Sequence, residues 1–194
     1  MKASYFGLIL FISMSLSGCS VFDLQQDDQE LEYQLNQIQQ WKVRGKLSVI
    51  SPEDAVTGYL TWQQDNENFD LFLSGPFGQG SSRLEGNSSH ATLTLPSKEP
   101  VRAPSAEYLV AAYLGWEFPV LDLRYWVKGQ PSPSSDFTQV RNSLGLLESL
   151  KQHDWQVEFS RYQPQGETWL PGRIKIIGHG FKFVLVIKEW SIYE

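Results

Sequence analysis

The sequence predicts a mainly β domain in which short helices cover one face of an antiparallel sheet. Three observations support this prediction. Apolar and polar residues alternate with a period of two through residues 43–73, which is typical of half-buried strands. The breaks in the alternation contain Pro, Gly, Asn or Asp, the residues of tight turns. Two segments of good helix formers then separate these strands from a second group.

Each strand of the first group has one apolar face. The residues expected to share it are Val43, Gly45, Leu47 and Val49, then Gly58, Leu60 and Trp62, then Phe69, Leu71 and Leu73. Ser82, Leu84, Ala91, Leu93 and Leu95 continue the pattern more weakly. Turns are predicted at residues 51–54, 65–68, 75–80 and 86–89. Consecutive short strands joined by such turns favour an antiparallel meander.

A short amphipathic helix is predicted just before the first strand. Leu31, Leu35 and Ile38 recur at intervals of three or four residues, and Trp41 is a possible fourth member of the series. The preceding segment, residues 20–30, is rich in Gln and Asp and is predicted to be a solvated tether.

Two further helices are predicted in the middle of the chain. The first follows Pro104 and Ser105 and stops at Gly115, and the second runs from Pro119 to Gly129. Because they lie between two groups of strands, we expect them to cover a face of the sheet.

The C-terminal part returns to strands. Residues 130–135 are predicted to form a surface loop, while residues 144–150 fit a helix or a strand equally well. Strands are predicted at residues 155–161, 173–177 and 181–190, with a hairpin at residues 178–180.

Composition limits the classes of function. The chain has 194 residues and a formal net charge of −6, which suits a single domain and disfavours binding to nucleic acid. It has one cysteine, so no disulfide is expected within the domain. We expect neither a metal nor another cofactor.

The N-terminus predicts a lipid anchor. The apolar run from Tyr5 to Met14 is too short to span a bilayer and is typical of a secretory signal. It ends in Leu-Ser-Gly followed by Cys19, which resembles the lipobox of bacterial lipoproteins. That resemblance implies a cleaved signal peptide over residues 1–18 and acylation of Cys19. Composition and length then predict a lipidated tether over residues 19–30 and one domain over residues 31–194. Ser20, in place of an aspartate, implies sorting to the outer membrane.

A longer series of motifs resembles the LolB family of outer-membrane lipoprotein receptors. In chain order they are Trp41 with Arg44-Gly45-Lys46-Leu47, Gly75-Pro76-Phe77-Gly78, Gly115-Trp116 with Pro119, Leu123 with Trp126 and Gly129, Trp155-Gln156-Val157, Leu170-Pro171 with Arg173, and Val186-Ile187 with Trp190. The resemblance implies a strongly curved antiparallel sheet, an incomplete barrel, whose covering helices enclose an apolar cavity. It also implies that the protein accepts lipoproteins from the periplasmic carrier LolA and inserts them into the inner leaflet of the outer membrane.

The resemblance also assigns site residues. The cavity is expected to be lined by Leu47, Leu60, Trp62, Leu71, Leu73, Trp126, Val157 and Leu185. A membrane-insertion loop is expected at Pro76, Phe77 and Gly78, with the Phe77 ring entering the lipid interface. The family usually has an aliphatic residue at the position of Phe77. The expected partners are a LolA-like carrier, acylated lipoprotein cargo and the outer membrane through the N-terminal lipid, and the protein is expected to be a monomer.

Two other interpretations fit parts of the sequence. An assembly lipoprotein of the outer membrane would share the anchor and the acidic domain but have a filled core. An enzyme would need a catalytic constellation. His90, His153 and His179 lack metal-ligand spacing, although Asp70 and Glu85 could be a glycosidase pair.

Overall fold

The computed structural model describes residues 21–75 and 80–193, with side chains described from residue 29 onward within these ranges. Three helices are described: α1 (Val21–Gln37), α2 (Ala106–Leu114) and α3 (Val120–Trp126). The strands of the first half are β1 (Gln40–Ile50), β2 (Ala55–Asp65), β3 (Asn68–Ser74), β4 (Ser82–Gly86), β5 (Ala91–Thr94) and β6 (Val101–Ala103). The strands of the second half are β7 (Phe137–Arg141), β8 (Leu147–Gln152), β9 (Trp155–Ser160), β10 (Gln163–Gln165), β11 (Thr168–Leu170), β12 (Arg173–Gly178) and β13 (Phe181–Tyr193). None of the described helices is long and apolar enough to cross a membrane.

Eleven strands form one antiparallel sheet, as the alternation predicted. Their order is β6-β5-β4-β3-β2-β1-β13-β12-β9-β8-β7, and β10 pairs with β11 in a separate hairpin. The first strand therefore pairs with the last, and this long pairing joins the two halves of the chain. Strands β6 and β7 are the two edges, so the sheet is not closed into a barrel.

The predicted alternation of burial is confirmed in the first half of the sheet. In β2 the side of Leu60 and Trp62 is buried, whereas Tyr59 and Gln63 are exposed. The inward side chains form two hydrophobic clusters. The larger one contains Trp41, Trp62, Trp126, Trp155 and Trp190, so most of the tryptophans stabilise the core.

The two middle helices also form as predicted. Helix α2 has Ser105 as its N-cap, whose Oγ accepts a hydrogen bond from the backbone N–H of Tyr108 at 3.3 Å. It ends at Gly115, which has a φ of 71°, the left-handed conformation that terminates helices. Helix α3 follows Pro119 as predicted, but it ends at Trp126, three residues before the predicted end at Gly129.

The N-terminal helix differs from the prediction. It begins at Val21 rather than at Leu31, so residues 21–30 are helical and not an irregular tether. The physical reason is that this segment, although polar, contains no Gly or Pro, and Gln and Glu are good helix formers. Trp41 belongs to β1.

The loop at residues 130–135 also differs, because part of it is buried. Gln130 and Ser132 are both buried polar residues. The side chain of Gln152 forms hydrogen bonds with the backbone of this loop. Its Oε1 accepts a hydrogen bond from the backbone N–H of Ser132 at 2.8 Å, and its Nε2 donates to the carbonyl oxygens of Ser132 and Ser135. The polar composition predicted exposure, but a buried glutamine supplies the partners that water would otherwise provide.

The local sequence pattern does not determine the remaining elements. The ambiguous segment 144–150 enters strand β8, and Asn142 forms the turn before it. The edge strands β6 and β7 and the β10–β11 hairpin were not predicted, since each has only three to five residues.

Candidate functional site: an apolar cavity under the helices

An apolar cavity lies between the sheet and the segment that contains α2 and α3. The sheet contributes Leu47, Leu60, Trp62, Leu71, Leu73, Ser82, Leu84, Leu93, Ile174, Ile176, Phe183 and Leu185. The helical segment contributes Val110, Leu114, Trp116, Phe118, Val120 and Leu123. Ser82 is the only polar residue in this set. The walls thus offer almost nothing that could bind a polar ligand.

The lining shows that the sheet is strongly curved. The sheet residues come from β5, β4, β3, β2, β1, β13 and β12, which are seven consecutive strands. Laid flat at about 4.8 Å per strand, seven strands would extend over roughly 29 Å. They can surround one small cavity only if the sheet bends around it. This geometry confirms the predicted incomplete barrel.

The cavity is narrow in this conformation. The cavity has a volume of about 90 Å³. Ligand pockets typically measure about 300–1,000 Å³. The side chains of the walls therefore fill most of the space that a ligand would need.

An aromatic cluster packs the connection between α2 and α3 against the sheet. The Phe118 ring lies 4.1 Å from the Phe183 ring, centroid to centroid, and meets Trp155 edge to face at 5.9 Å. Trp116 contacts Phe183 in the same way at 6.2 Å. Next to them, Glu117 Oε2 lies 3.3 Å from His179 Nδ1. The connection between the two roof helices is therefore held to the sheet by ring contacts, whereas α2 packs against β5 and β6.

The two roof helices are tied to each other by Glu107. Its Oε1 accepts a hydrogen bond from the backbone N–H of Leu121 at 3.0 Å, and its Oε2 accepts one from Ser105 Oγ at 2.7 Å. Because one carboxylate joins the start of α2 to the first turn of α3, the two helices are coupled at that end.

Most of the predicted cavity residues line the cavity. Six of them do so: Leu47, Leu60, Trp62, Leu71, Leu73 and Leu185. Trp126 and Val157 do not, and this part of the prediction was wrong. Both are completely buried in the larger core cluster, where the Trp126 indole N–H donates to Gln152 Oε1 at 2.9 Å. Alternation places Val157 on the inner face of β9, and Trp126 ends helix α3 above the sheet, but neighbouring side chains fill the space in front of both.

Sequence reasoning missed much of the roof and part of the floor. Ile174, Ile176 and Phe183 lie on the inward side of β12 and β13, and the period of two in those strands could have identified them. Trp116 and Phe118 lie outside regular elements, so no periodicity pointed to them.

The remaining predicted site residues lie outside the described residues. These are Cys19 and the loop residues Pro76, Phe77 and Gly78. The loop joins β3 to β4, both of which contribute to the cavity wall through Leu73 and Ser82.

The carboxylate pair that an enzyme would use, Asp70 and Glu85, lies away from the cavity. Asp70 and Glu85 are cross-strand partners on β3 and β4. Arg83 makes two hydrogen bonds to Asp70, at 2.8 and 2.6 Å, and lies 3.2 Å from Glu85. The hydrogen bonds and charge of Asp70 raise the pKa of Arg83. Both carboxylates are thus engaged with one guanidinium on the surface.

The histidines lie in separate turns. His153 Nε2 is 3.2 Å from both Asp122 Oδ2 and Ser134 Oγ. A catalytic triad uses the two ring nitrogens for two different partners, whereas here one nitrogen meets both. His179 contacts Glu117 and Trp155, and His90 contacts Ser89.

Comparison with known proteins identifies the family to which this chain belongs. The family model described as "Outer membrane lipoprotein LolB" matches residues 39–190. The chain belongs to the LolB family. It is 35% identical to the outer-membrane lipoprotein LolB of Pseudomonas fluorescens, covering 96% of this chain and 95% of that one. It is equally similar to LolB of Pseudomonas aeruginosa, covering 95% and 96%.

Solved structures support the fold of this LolB family member. A LolA superfamily protein from Nitrosomonas europaea superposes with a TM-score of 0.56 at 11% identity, covering 91% of this chain and 95% of that one. A DUF1329 family protein from Desulfovibrio piger gives a TM-score of 0.58 at 11% identity, with coverage of 89% and 92%. At such identities the similarity concerns the fold alone.

Proposed function

We propose that this protein is an outer-membrane-anchored lipoprotein that receives other lipoproteins from a LolA-like periplasmic carrier and inserts them into the outer membrane. The observation that carries the proposal is the cavity, whose lining is apolar apart from Ser82 and whose roof consists of two short helices and their connection. Membership of the LolB family supports the same role.

The chemistry of the cavity suits acyl chains. Each methylene removed from water contributes about 0.8 kcal/mol, and a wall of Leu, Ile, Val and aromatic side chains supplies that gain without directional contacts. Such a wall does not select a particular headgroup or polypeptide. It would therefore accept the lipid moiety shared by many different lipoproteins.

Occupation of the cavity requires the roof to move. The present space is smaller than a typical ligand pocket, and the connection between α2 and α3 is held by aromatic contacts and by the partly exposed pair Glu117–His179. We propose that α2 and α3 move away from Phe183 when acyl chains enter. No chemical energy source is needed if the affinity for the chains rises from carrier to receptor to bilayer.

The anchor and the insertion loop complete the proposal. Acylation of Cys19 would hold the domain at the membrane, because several acyl chains make attachment effectively permanent. The loop with Pro76, Phe77 and Gly78 would place an aromatic ring in the lipid interface, close to strands that form the cavity wall.

The decisive experiment is a handover assay. A purified complex of the carrier with a lipoprotein is mixed with this protein and with liposomes, and the cargo is followed from one to the next. We expect the cargo to leave the carrier and to reach the liposomes only when this protein is present. If the cargo stays on the carrier, and if fatty acid does not bind the domain saturably, the protein is an assembly lipoprotein instead.

The role of the loop has its own test. Phe77→Glu is expected to leave cargo uptake unchanged and to reduce transfer into liposomes strongly, because moving a carboxylate out of water to the level of the acyl chains costs free energy. Phe137→Glu, the same change at an exposed phenylalanine of β7, is the matched control. Loss of uptake in Phe77→Glu would place this ring in the cavity wall.

A further inference from the structure

Basic side chains gather on the outer face of the sheet, meaning the face opposite the cavity. Three strands that are adjacent in the sheet, β1, β13 and β12, carry seven of the sixteen Lys and Arg residues of the chain. They are Lys42, Arg44 and Lys46 on β1, Arg173 and Lys175 on β12, and Lys182 and Lys188 on β13. The same strands contain one acidic residue, Glu189. A chain with a net charge of −6 therefore has a positive central face.

The alternation of the strands places these residues outward. Their neighbours Val43, Ile174, Ile176, Phe183 and Ile187 are buried on the cavity side. A bulge after Arg44 adds one residue to β13 at this point, and both Lys188 and Glu189 are exposed there. Cross-strand pairing brings charges from separate segments together, since Val186 pairs with Lys46 on one side and with Arg173 on the other.

Few of these charges are neutralised within the part of the chain that the structure describes. Glu189 lies 3.3 Å from Arg44, and Glu158 of β9 lies 3.0 Å from Lys175. Lys46 lies over the exposed ring of Tyr59 at 5.2 Å. Successive outward residues of one strand lie about 7 Å apart, which is within the Debye length of about 8 Å at physiological salt. Lys46 and Arg173 lie about 10 Å apart because β13 separates their strands, only slightly beyond that length, so the charges of the face act together on an approaching surface.

We propose that this outer face is a docking surface for anionic phospholipid headgroups, which orients the tethered domain on the membrane. Charge complementarity is the reason, because each Lys or Arg near an anionic bilayer surface contributes about 1 kcal/mol, whereas the rest of this acidic domain is repelled. Exposed Tyr59 and Phe72 lie on the same face, and aromatic rings are favoured at the headgroup level. The proposal goes beyond the transfer of lipoproteins and does not depend on the cavity.

The test compares two double variants of equal charge. Lys46→Gln/Arg173→Gln removes one Lys and one Arg from the face, and Lys98→Gln/Arg102→Gln removes one of each from exposed positions on and beside β6. The chain from residue 19 with Cys19→Ala contains every described helix and strand, and thermal unfolding monitors its folding. Binding is measured by co-sedimentation with vesicles of phosphatidylcholine, with and without 30% phosphatidylglycerol (roughly one charge per three lipids).

We expect the parent to bind the anionic vesicles in a salt-sensitive way. The Lys46/Arg173 variant should lose about 30-fold in affinity, and the Lys98/Arg102 variant should stay within roughly threefold of the parent. Equal loss in both variants, or no preference of the parent for anionic vesicles, would overturn the proposal. So would normal vesicle binding combined with impaired binding to the carrier, which would make the face a protein-docking surface. Fatty-acid binding, measured in parallel, reports separately on the proposed transfer function.

Discussion

At the scale of single residues, adjacent positions on one strand have opposite roles. Leu71 lines the cavity, while its neighbour Phe72 is 40% exposed on the outer face. Both are large and apolar, so hydrophobicity alone does not distinguish them. The pleat of β3 does, because consecutive side chains point to opposite faces of the sheet.

Because Leu71 and Phe72 point to opposite faces of the sheet, the same substitution at each position gives a matched pair of variants. Leu71→Gln places an amide in an apolar wall where it finds no partner, so we expect fatty-acid affinity to fall by about tenfold and the unfolding free energy by about 1–2 kcal/mol. Phe72→Gln should leave fatty-acid affinity unchanged. Fluorescent fatty-acid titration and urea unfolding measure the two quantities. Equal affinity in both variants would show that Leu71 does not touch the ligand.

Lys128 is a buried charge that caps the end of α1. Its Nζ donates to the carbonyl oxygens of Leu35 at 2.8 Å and of Ile38 at 3.1 Å. Burial, with a smaller contribution from the charge of Arg124, lowers the pKa of Lys128 to about 8. The neutral amine still has two N–H donors for the two carbonyls. Helix α1 is thus joined to the end of α3 by one side chain.

This pKa predicts how stability changes with pH. The folded chain loses the Lys128 proton near pH 8 and the unfolded chain only near pH 10.4, so between these values the unfolded state binds more protons and the unfolding free energy rises with pH. From pH 8 to 9.5 we expect the unfolding free energy of the wild type to rise by about 1–2 kcal/mol relative to that of Lys128→Met. Urea unfolding at these pH values measures the difference.

The measurement stops at pH 9.5 because of Tyr162. Burial raises the pKa of Tyr162 in the folded chain, so its ionisation above about pH 10 favours the unfolded state and would mask the contribution of Lys128. A difference between wild type and Lys128→Met that stays constant with pH would show that the amine remains charged in the folded chain.

At the scale of elements, the two roof helices depend on tertiary contacts for their stability. Helix α2 has nine residues, too few to be stable by themselves, and depends on its caps and on its packing against β5 and β6. Ser105 caps its first turn and also donates to Glu107, which joins α2 to α3. One hydroxyl thus supports both roof helices.

Removing that hydroxyl should loosen the roof. Ser105→Ala is expected to cost about 1 kcal/mol and to increase hydrogen exchange of the amides of α2 and α3 relative to those of β1 and β13. Ser88→Ala, in the exposed turn between β4 and β5, should have little effect on either. Uniform exchange changes across the sheet would indicate that the roof does not open separately.

At the scale of the whole molecule, the pairing of β1 with β13 joins the two halves of the sheet. Gly45 lies at the bulge in this pairing, and a Cβ there would collide with the carbonyl oxygen of Val186. The residue is needed for the close approach of two backbones, since a larger side chain would push the halves apart.

Gly45→Ala is therefore expected to destabilise the fold by at least 2–4 kcal/mol, with about half of that or less for Gly180→Ala. Gly180 has a φ of 80° but open space around its Cβ position, so only backbone strain applies there. Thermal and urea unfolding compare the two variants. Similar stabilities would show that β13 shifts to make room for the alanine.

The local features of this protein followed from its sequence. Alternation identified the inward face of each long strand, Ser105 and Gly115 identified the ends of α2, and the motif series identified the family. These features depend on residues that are near each other along the chain, through backbone pleat, capping and turn conformation.

Only the tertiary structure decided which inward residues face open space. Leu71 borders the cavity and Val157 is packed solid, although their strands have the same alternation. The tertiary structure also decided that Lys46 and Arg173 lie on one face of the sheet. The strands β1 and β12 that carry them both pair with the last strand, β13. Cavities and charged faces are built from residues distant in sequence, and their form depends on how whole elements pack, which no local period encodes.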